Sequence, residues 1–226
     1  TSLIVQLFTE MFGLITFMVK GAKSPKSKSK SYFYQVGNIL DIVMYYHPNK
    51  NFQIIKECQF HLIYNDLNTS MRKNSILLFS LEIMQQTIIK NAPLEDVFHF
   101  YFDFLNQLEQ SNQATIPNLP LFFLLGVLRV NGYSIDTNYS EDFPYFHLLE
   151  GRFYEVMPTL PPFVEKQQGK ALMEIAQCSE MKDLLLVSIP KTEREQLMQV
   201  LLAFFEIHFS NFKPLKSLPI LSMILN

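Results

Sequence analysis

The chain of 226 residues has no tryptophan, two cysteines and seven glycines, and each scarcity closes off a class of protein. Cys58 and Cys178 stand far apart with no C-x-x-C spacing, which excludes a disulfide framework and a cysteine-rich metal site. The expectation is two buried free thiols in a reducing compartment. Glycines are too few and too scattered for a phosphate loop. The stretch Gly21 to Ser24 lacks the upstream glycine and the Gly-Lys step, and no G-x-G-x-x-G, G-x-S-x-G or H-E-x-x-H occurs. The longest apolar run, Leu119 to Leu128, is about half of a bilayer span and contains Pro120. Thr1 to Val19 lacks the basic leader and small-residue cleavage site of a signal peptide. The chain starts without Met and inside a strand pattern, so a further strand is expected upstream.

Histidines 47, 61, 99, 147 and 208 are scattered, none at ligand spacing from a cysteine. His147 with Glu150 reads as a conceivable metal pair or as polar groups on a hairpin edge. Glu95-Asp96 and Glu141-Asp142 read as helix starts and solvated loops. No reaction emerges from these residues, so the chain reads as non-enzymatic, with no cofactor and no metal.

What the chain does have is apolar mass: 48% hydrophobic residues and 21 phenylalanines, a globular composition. Its net charge of −2 conceals an asymmetry. Residues 1 to 75 hold nine Lys or Arg against four acids, a surplus of +5, and the rest hold ten against seventeen, a balance of −7. A basic part joined to an acidic part points to an anionic partner for the first.

The first part has the period of strands. Leu3 to Phe8 and Leu14 to Val19 form a hairpin pattern about Gly13. Gly37 to Tyr46 and Gln53 to Tyr64 are two more strands, joined by the turn His47 to Asn51, with Ile54, Cys58, Phe60, Leu62 and Tyr64 on one face. From Asn68 the period becomes helical, over Ser75–Ile89, Leu94–Leu108 and Leu119–Val130, with helices apolar on most sides and so placed inside a bundle. Thr192 to Phe209 carries capping-box spacing at Thr192 and Glu195, Phe146 to Met157 reads as a small hairpin, and Gly169 to Gln177 as a short helix. The predicted fold is α+β and multidomain: an OB-type β-barrel over 1–67, then a helical domain over 68–226 with an insertion near 133–165.

One segment carries a binding signal. Lys20, Lys23, Lys26, Lys28 and Lys30 are spaced by Gly, Ala, Ser and Pro, with no acid between them. Five engaged phosphates would give a salt slope of about −3 to −5. Tyr32, Phe33 and Tyr34 follow directly, as stacking platforms for single-stranded bases or as core residues of the next strand. The segment itself reads as a phosphate grip or as a solvated mobile loop.

Three segments resemble the RecO family of bacterial DNA repair and recombination mediators. Thr1 to Gly13 (TSLIVQLFTEMFG) is similar to the family's first hairpin, Val19 to Ser27 (VKGAKSPKS) to its basic loop, and Phe212 to Ser217 (FKPLKS) to its terminal P-L-K-S signature. Leu128 to Tyr133 (LRVNGY) adds a weaker match. The resemblance implies an OB domain followed by a helical domain, binding of single- and double-stranded DNA, and annealing of complementary strands. It implies work with RecR, some members also with RecF, to load RecA onto DNA covered by the single-stranded DNA-binding protein SSB, whose acidic tail is recognised. It places the chain in the cytoplasm, at the nucleoid. DNA-binding residues are then Lys20, Lys23, Lys26, Lys28, Lys30, Tyr32 and Tyr34, and partner-binding candidates are Arg129, Lys213 and Lys216.

Two departures stand out. Gly132 to Gly169 contains no cysteine where many members carry a four-cysteine zinc site, so the insertion must hold itself by packing. Leu121 to Leu124 is apolar where some members are basic. The competing reading is a non-enzymatic interaction scaffold whose basic segment meets an acidic protein.

Overall fold

Two antiparallel hairpins begin the computed structural model, which describes residues 2–21, 28–89, 92–136, 138–159, 163–164 and 166–225, apart from the side chains of residues 28–30 and 167. β1 (Leu3–Thr9) pairs with β2 (Gly13–Val19), Leu3 opposite Val19 and Thr9 opposite Gly13. Alternation buries Ile15, Phe17 and Val19 on one face. Gly13 has φ +66°, and a Cβ there would lie 2.1 Å from the carbonyl oxygen of Ala92, so no side chain fits at this turn.

β3 (Ile39–Tyr45) pairs with β4 (Ile54–Leu62), with register shifts between Ile39 and Leu40 and between Val43 and Met44. The hairpins meet at a parallel bridge between Phe17 and Gln53, where Met18 N–H donates to the Gln53 carbonyl and Gln53 N–H to the Thr16 carbonyl, both at 2.9 Å. The Gln53 side chain is buried and fastens the preceding loop. Its oxygen accepts from His47 N–H at 2.8 Å, and its nitrogen donates to the carbonyls of His47 and Lys50 at 2.8 and 3.1 Å.

The described strands do not close into the expected barrel. Closure needs partners on the outer edges of β1 and β3, and among the described residues neither strand pairs beyond its own hairpin. The result is a strand-rich region of two linked hairpins followed by helices. A correction falls between the hairpins, where Lys28–Phe33 is a short helix, α1, and not the end of a loop. Phe33 and Tyr32 pack on Phe60 of β4 at 4.6 and 5.4 Å between ring centroids. The Asn38 side-chain amide donates to the carbonyls of Tyr32 and Phe33, closing the helix end.

The helical part comprises α2 (Asp66–Thr69), α3 (Met71–Thr87), α4 (Glu95–Gln110), α5 (Leu119–Val130), α6 (Lys166–Ala176), α7 (Lys191–His208) and α8 (Leu218–Leu225). One core runs through them, with Phe79, Ile83, Phe104, Leu108, Phe123, Leu172, Leu201 and Phe205 buried, while Ile15, Phe17 and Val19 stand outside it. α5 lies where its all-round apolarity places it. α4 differs from the expectation: Tyr101, Phe104, Leu105 and Leu108 face the core, but Phe98 and Phe102 turn to the strands. Phe98 meets Phe8 at 5.5 Å and Phe102 meets His61 at 5.6 Å.

α7 begins at Lys191, after Pro190, and the expected Thr192–Glu195 capping box is absent, because Thr192 lies inside the first turn. Instead, the Arg194 guanidinium donates to the Ile189 carbonyl at 2.6 Å. A capping box forms elsewhere, between Glu180 and Asp183. The insertion is a three-stranded sheet, β6 (Arg152–Tyr154), β5 (Tyr145–His147) and β7 (Phe163–Val164) in that order. Buried Phe146 and Phe153, 5.0 Å apart, hold it, and Asn138 brackets the Phe153 backbone through both atoms of its amide.

The strands join the helices at a clamp around α2. The Glu109 carboxylate at the end of α4 accepts N–H bonds from Asn65, Asp66 and Leu67 at 2.8 to 3.0 Å. Beside it, the buried Lys73 ammonium donates to the Asp66 carboxylate at 3.1 Å and to the Glu109 carbonyl at 2.5 Å. Burial of the Glu109 carboxylate opposes its charge, but the three N–H donors outweigh this and hold its pKa below the usual 4.5. A folded-state pKa below the unfolded one stabilises the fold above the unfolded value, and that stabilisation is lost as pH falls through the folded pKa. Glu109→Gln is expected to cost about 1–3 kcal/mol at neutral pH, read by urea unfolding. The same variant is expected to lose less stability than the unsubstituted chain as the pH is lowered from about 5 to 3.

Candidate nucleic-acid interface

The basic segment leaves the end of β2. Lys20 is exposed there, and Gly21 turns the chain at φ +73°. Lys23 and Lys26 lie outside the described residues. Lys28 and Lys30 belong to α1, whose far end rests on β4. The structure therefore ties both ends of the segment to the strands, Lys20 through β2 and Lys30 through α1.

Tyr32 and Tyr34 separate in environment. Tyr32 is 54% exposed, with an edge of its ring on Phe60. Tyr34 is half-buried beside Cys58, and burial first, then the neighbouring thiol, pushes its hydroxyl up to about 12. Cys58 is half-buried rather than buried, whereas Cys178 is buried, and both are free. The Cys58 thiol is itself pushed up by burial.

The opposite face of the β3–β4 hairpin offers little to an anion. Asp41 there accepts from Gln59 at 3.3 Å and meets His61 Nδ1 at 2.9 Å, and these two bonds hold its carboxyl below the usual range, His61 contributing most. Lys56 pairs with Glu57 at 2.9 Å. Charge on this face is cancelled locally, and among the described side chains Lys20 and Lys50 stand exposed elsewhere in the strand region.

The candidates in the helical part lie on two separate surfaces. Arg129 is exposed near the end of α5, donates to the Ala176 carbonyl at 3.3 Å, and lines a hollow of about 190 Å³ with Phe100, Phe122 and Cys178. Lys213 and Lys216 are exposed on the segment leading into α8, which α3 holds by its backbone. Gln86 accepts from Lys213 N–H at 2.6 Å and donates to the Lys213 carbonyl at 3.2 Å. Glu82 accepts from the N–H groups of Lys216 and Ser217 at 2.9 and 2.8 Å and from the Ser217 hydroxyl at 2.6 Å. Burial of the Glu82 carboxylate is outweighed by these donors, so its pKa falls. Leu121, Phe123 and Leu124, apolar where a basic stretch was conceivable, are buried in α5.

Metal-ligand chemistry has one further arrangement among the described residues. Glu10, Glu95 and His99 bring one donor atom each within 4.8 Å of one another, all exposed, with His99 3.3 Å from Glu10. These are polar contacts across the seam between the β1–β2 turn and α4. His147 and Glu150 lie 3.7 Å apart, and Glu150 accepts the Tyr154 hydroxyl.

Residues 1–64 match the family model described as "Recombination protein O N terminal". Along nearly its whole length the chain is similar to proteins named DNA repair protein RecO. It is 28% identical to that of Christiangramia forsetii, over 98% of this chain and 91% of the relative. For Flavobacterium johnsoniae the identity is 29%, over 99% and 92%. For Bacteroides fragilis it is 25%, over 98% and 91%.

Glu82 generates a test of the segment that carries Lys213 and Lys216. Glu82→Ala is expected to speed amide hydrogen exchange at Lys216 and Ser217 roughly 5- to 150-fold, following the loss of about 1–3 kcal/mol of local bonding.

Proposed function

The chain belongs to the RecO family of DNA repair proteins, and from that premise we propose that it acts as a recombination mediator. In this reading it binds single- and double-stranded DNA, anneals complementary strands and helps to load recombinase onto SSB-coated DNA. What carries the reading is likeness to DNA repair proteins over nine-tenths of both chains. It is supported by the charge surplus of residues 1–64, the part that matches the family's amino-terminal model, where seven Lys face three acids.

The phosphate contacts are Lys20, Lys23, Lys26, Lys28 and Lys30. Tyr32 presents an exposed ring beside them, and Tyr34 supports the site from its half-buried position. Residues 1–67 form an OB-type DNA-binding unit, and residues 68–226 a helical unit with an insertion near 133–165. RecR, RecF, RecA and the acidic tail of SSB are the protein partners, with Arg129, Lys213 and Lys216 as contacts. The protein works in the cytoplasm at the nucleoid, without catalysis or cofactor. No helix among the described residues is long and apolar enough to cross a membrane.

Changing Lys23, Lys26 and Lys28 together to Ala is expected to weaken binding of single-stranded oligonucleotides of any sequence. The slope of log affinity against log salt should become shallower by about 2 to 3, at 0.7–0.9 per lost phosphate contact. Unchanged affinity and slope would remove the segment from the DNA contact. No binding at low salt by the unsubstituted chain would favour the scaffold reading.

A further inference from the structure

At the end of β2 remote from Lys20, two rings are already stacked. Phe12, in the β1–β2 turn, and Tyr46, just past β3, lie 4.3 Å apart between centroids with planes 23° from parallel. Phe12 is half-buried and Tyr46 is 46% exposed. Among the described residues Phe12 is the one ring against Tyr46, so the stack has an inner leaf set into the fold and an outer leaf facing solvent.

The outer leaf is mounted on a braced loop. Residues 47–50 turn through a Lys50 N–H bond to the His47 carbonyl at 3.0 Å. Buried Gln53 holds both backbone groups of His47 and the carbonyl of Lys50, and its own backbone joins β2. Lys50 is exposed in that loop, and Tyr45, next in the chain to Tyr46, is 62% exposed. Glu10, the acid of the neighbouring turn, is engaged by His99.

We propose that Tyr46 is a stacking site for an unpaired base of single-stranded DNA, with Lys50 on an adjoining phosphate. The proposal rests on the DNA-binding reading above and adds a second contact to it. A nucleobase laid on Tyr46 extends a two-ring stack to three. The ordering cost is low, because Phe12 and the Gln53 brace already fix the ring and loop. A duplex has no free base face along its length, so this contact favours single strands, whereas the lysine segment is indifferent to strandedness.

The spacing sets a length. The seven residues of β2 separate Phe12, the ring under Tyr46, from Lys20 by roughly 23 Å at about 3.3 Å per residue. At about 3.4 Å per nucleotide, a strand of roughly seven nucleotides is needed to reach both.

The test is fluorescence anisotropy with the full chain and labelled oligothymidylates of about five and about fifteen nucleotides, a fifteen-nucleotide abasic strand and a duplex. Tyr46→Ala is expected to weaken the longer oligothymidylate about tenfold and leave the abasic strand, the duplex and the short oligonucleotide nearly unchanged. Tyr46→Phe should retain the affinity, and the unsubstituted chain should itself bind the abasic strand about tenfold more weakly. Equal loss on all four probes, or no loss on the longer oligothymidylate, overturns the site. If the lysine variant loses binding while Tyr46→Ala does not, the stacking site falls and the DNA-binding reading stands. If the unsubstituted chain binds none of the probes at low salt, both fall.

Discussion

Lys73 is 2% exposed, and a charge in that position survives only where its partners are fixed in advance. Asp66 and the Glu109 carbonyl supply them, one from α2 and one from the end of α4. Glu109 in turn accepts the first free N–H groups of α2 with its side chain. The chain leaving β4 therefore has one direction in which every polar group is satisfied. That direction sets where α3 starts and, through α3, where the α8 segment docks. Removing one partner would leave a buried ammonium incompletely paired, which is why this junction constrains more of the fold than any single apolar contact.

The strands and helices meet a second time along α4. Phe98 and Phe102 turn away from the bundle toward Phe8 and His61, while the backbone of Ala92 fills the space beside Gly13. A helix with apolar residues on two sides thus serves two layers at once. The basic end of β2 is held at one end of a hairpin whose other end is seated on the helical part, so the basic segment and the helices belong to connected pieces of one structure.

Much of this was legible in the residues. Period-two runs located β1 to β4, and the all-round apolar run Leu119–Val130 gave α5 to the residue. What escaped has physical reasons. α1 was hidden because Lys and Ser spacing reads as solvated chain, and its order comes from Phe33 and Tyr32 meeting Phe60, a contact distant in sequence. α8 was missed because eight residues with Ser222 as their one polar member have no polar face to mark a period, and Glu82 on α3 starts the helix from outside. Thr192 and Glu195 had capping spacing, but the helix takes Pro190 as its N-cap, two residues too early for it. For the site, the lysines were visible by charge. Gln53 and the Phe12–Tyr46 stack were not, since a glutamine's burial and a ring pair between two hairpins leave no mark on local pattern.

A sheet built on phenyl rings, as the insertion is, answers to different stresses from one built on thiolates. Phe146, Phe153 and Val164 close it, and Gly132 to Gly169 contains no thiol. Peroxide, chelators and zinc shortage act on thiolate clusters and find no such target in this sheet. Its integrity is governed by apolar burial, which temperature and denaturant control and redox state does not. For a chain similar to DNA repair proteins, that decouples the shape of this surface from the chemical conditions that damage DNA.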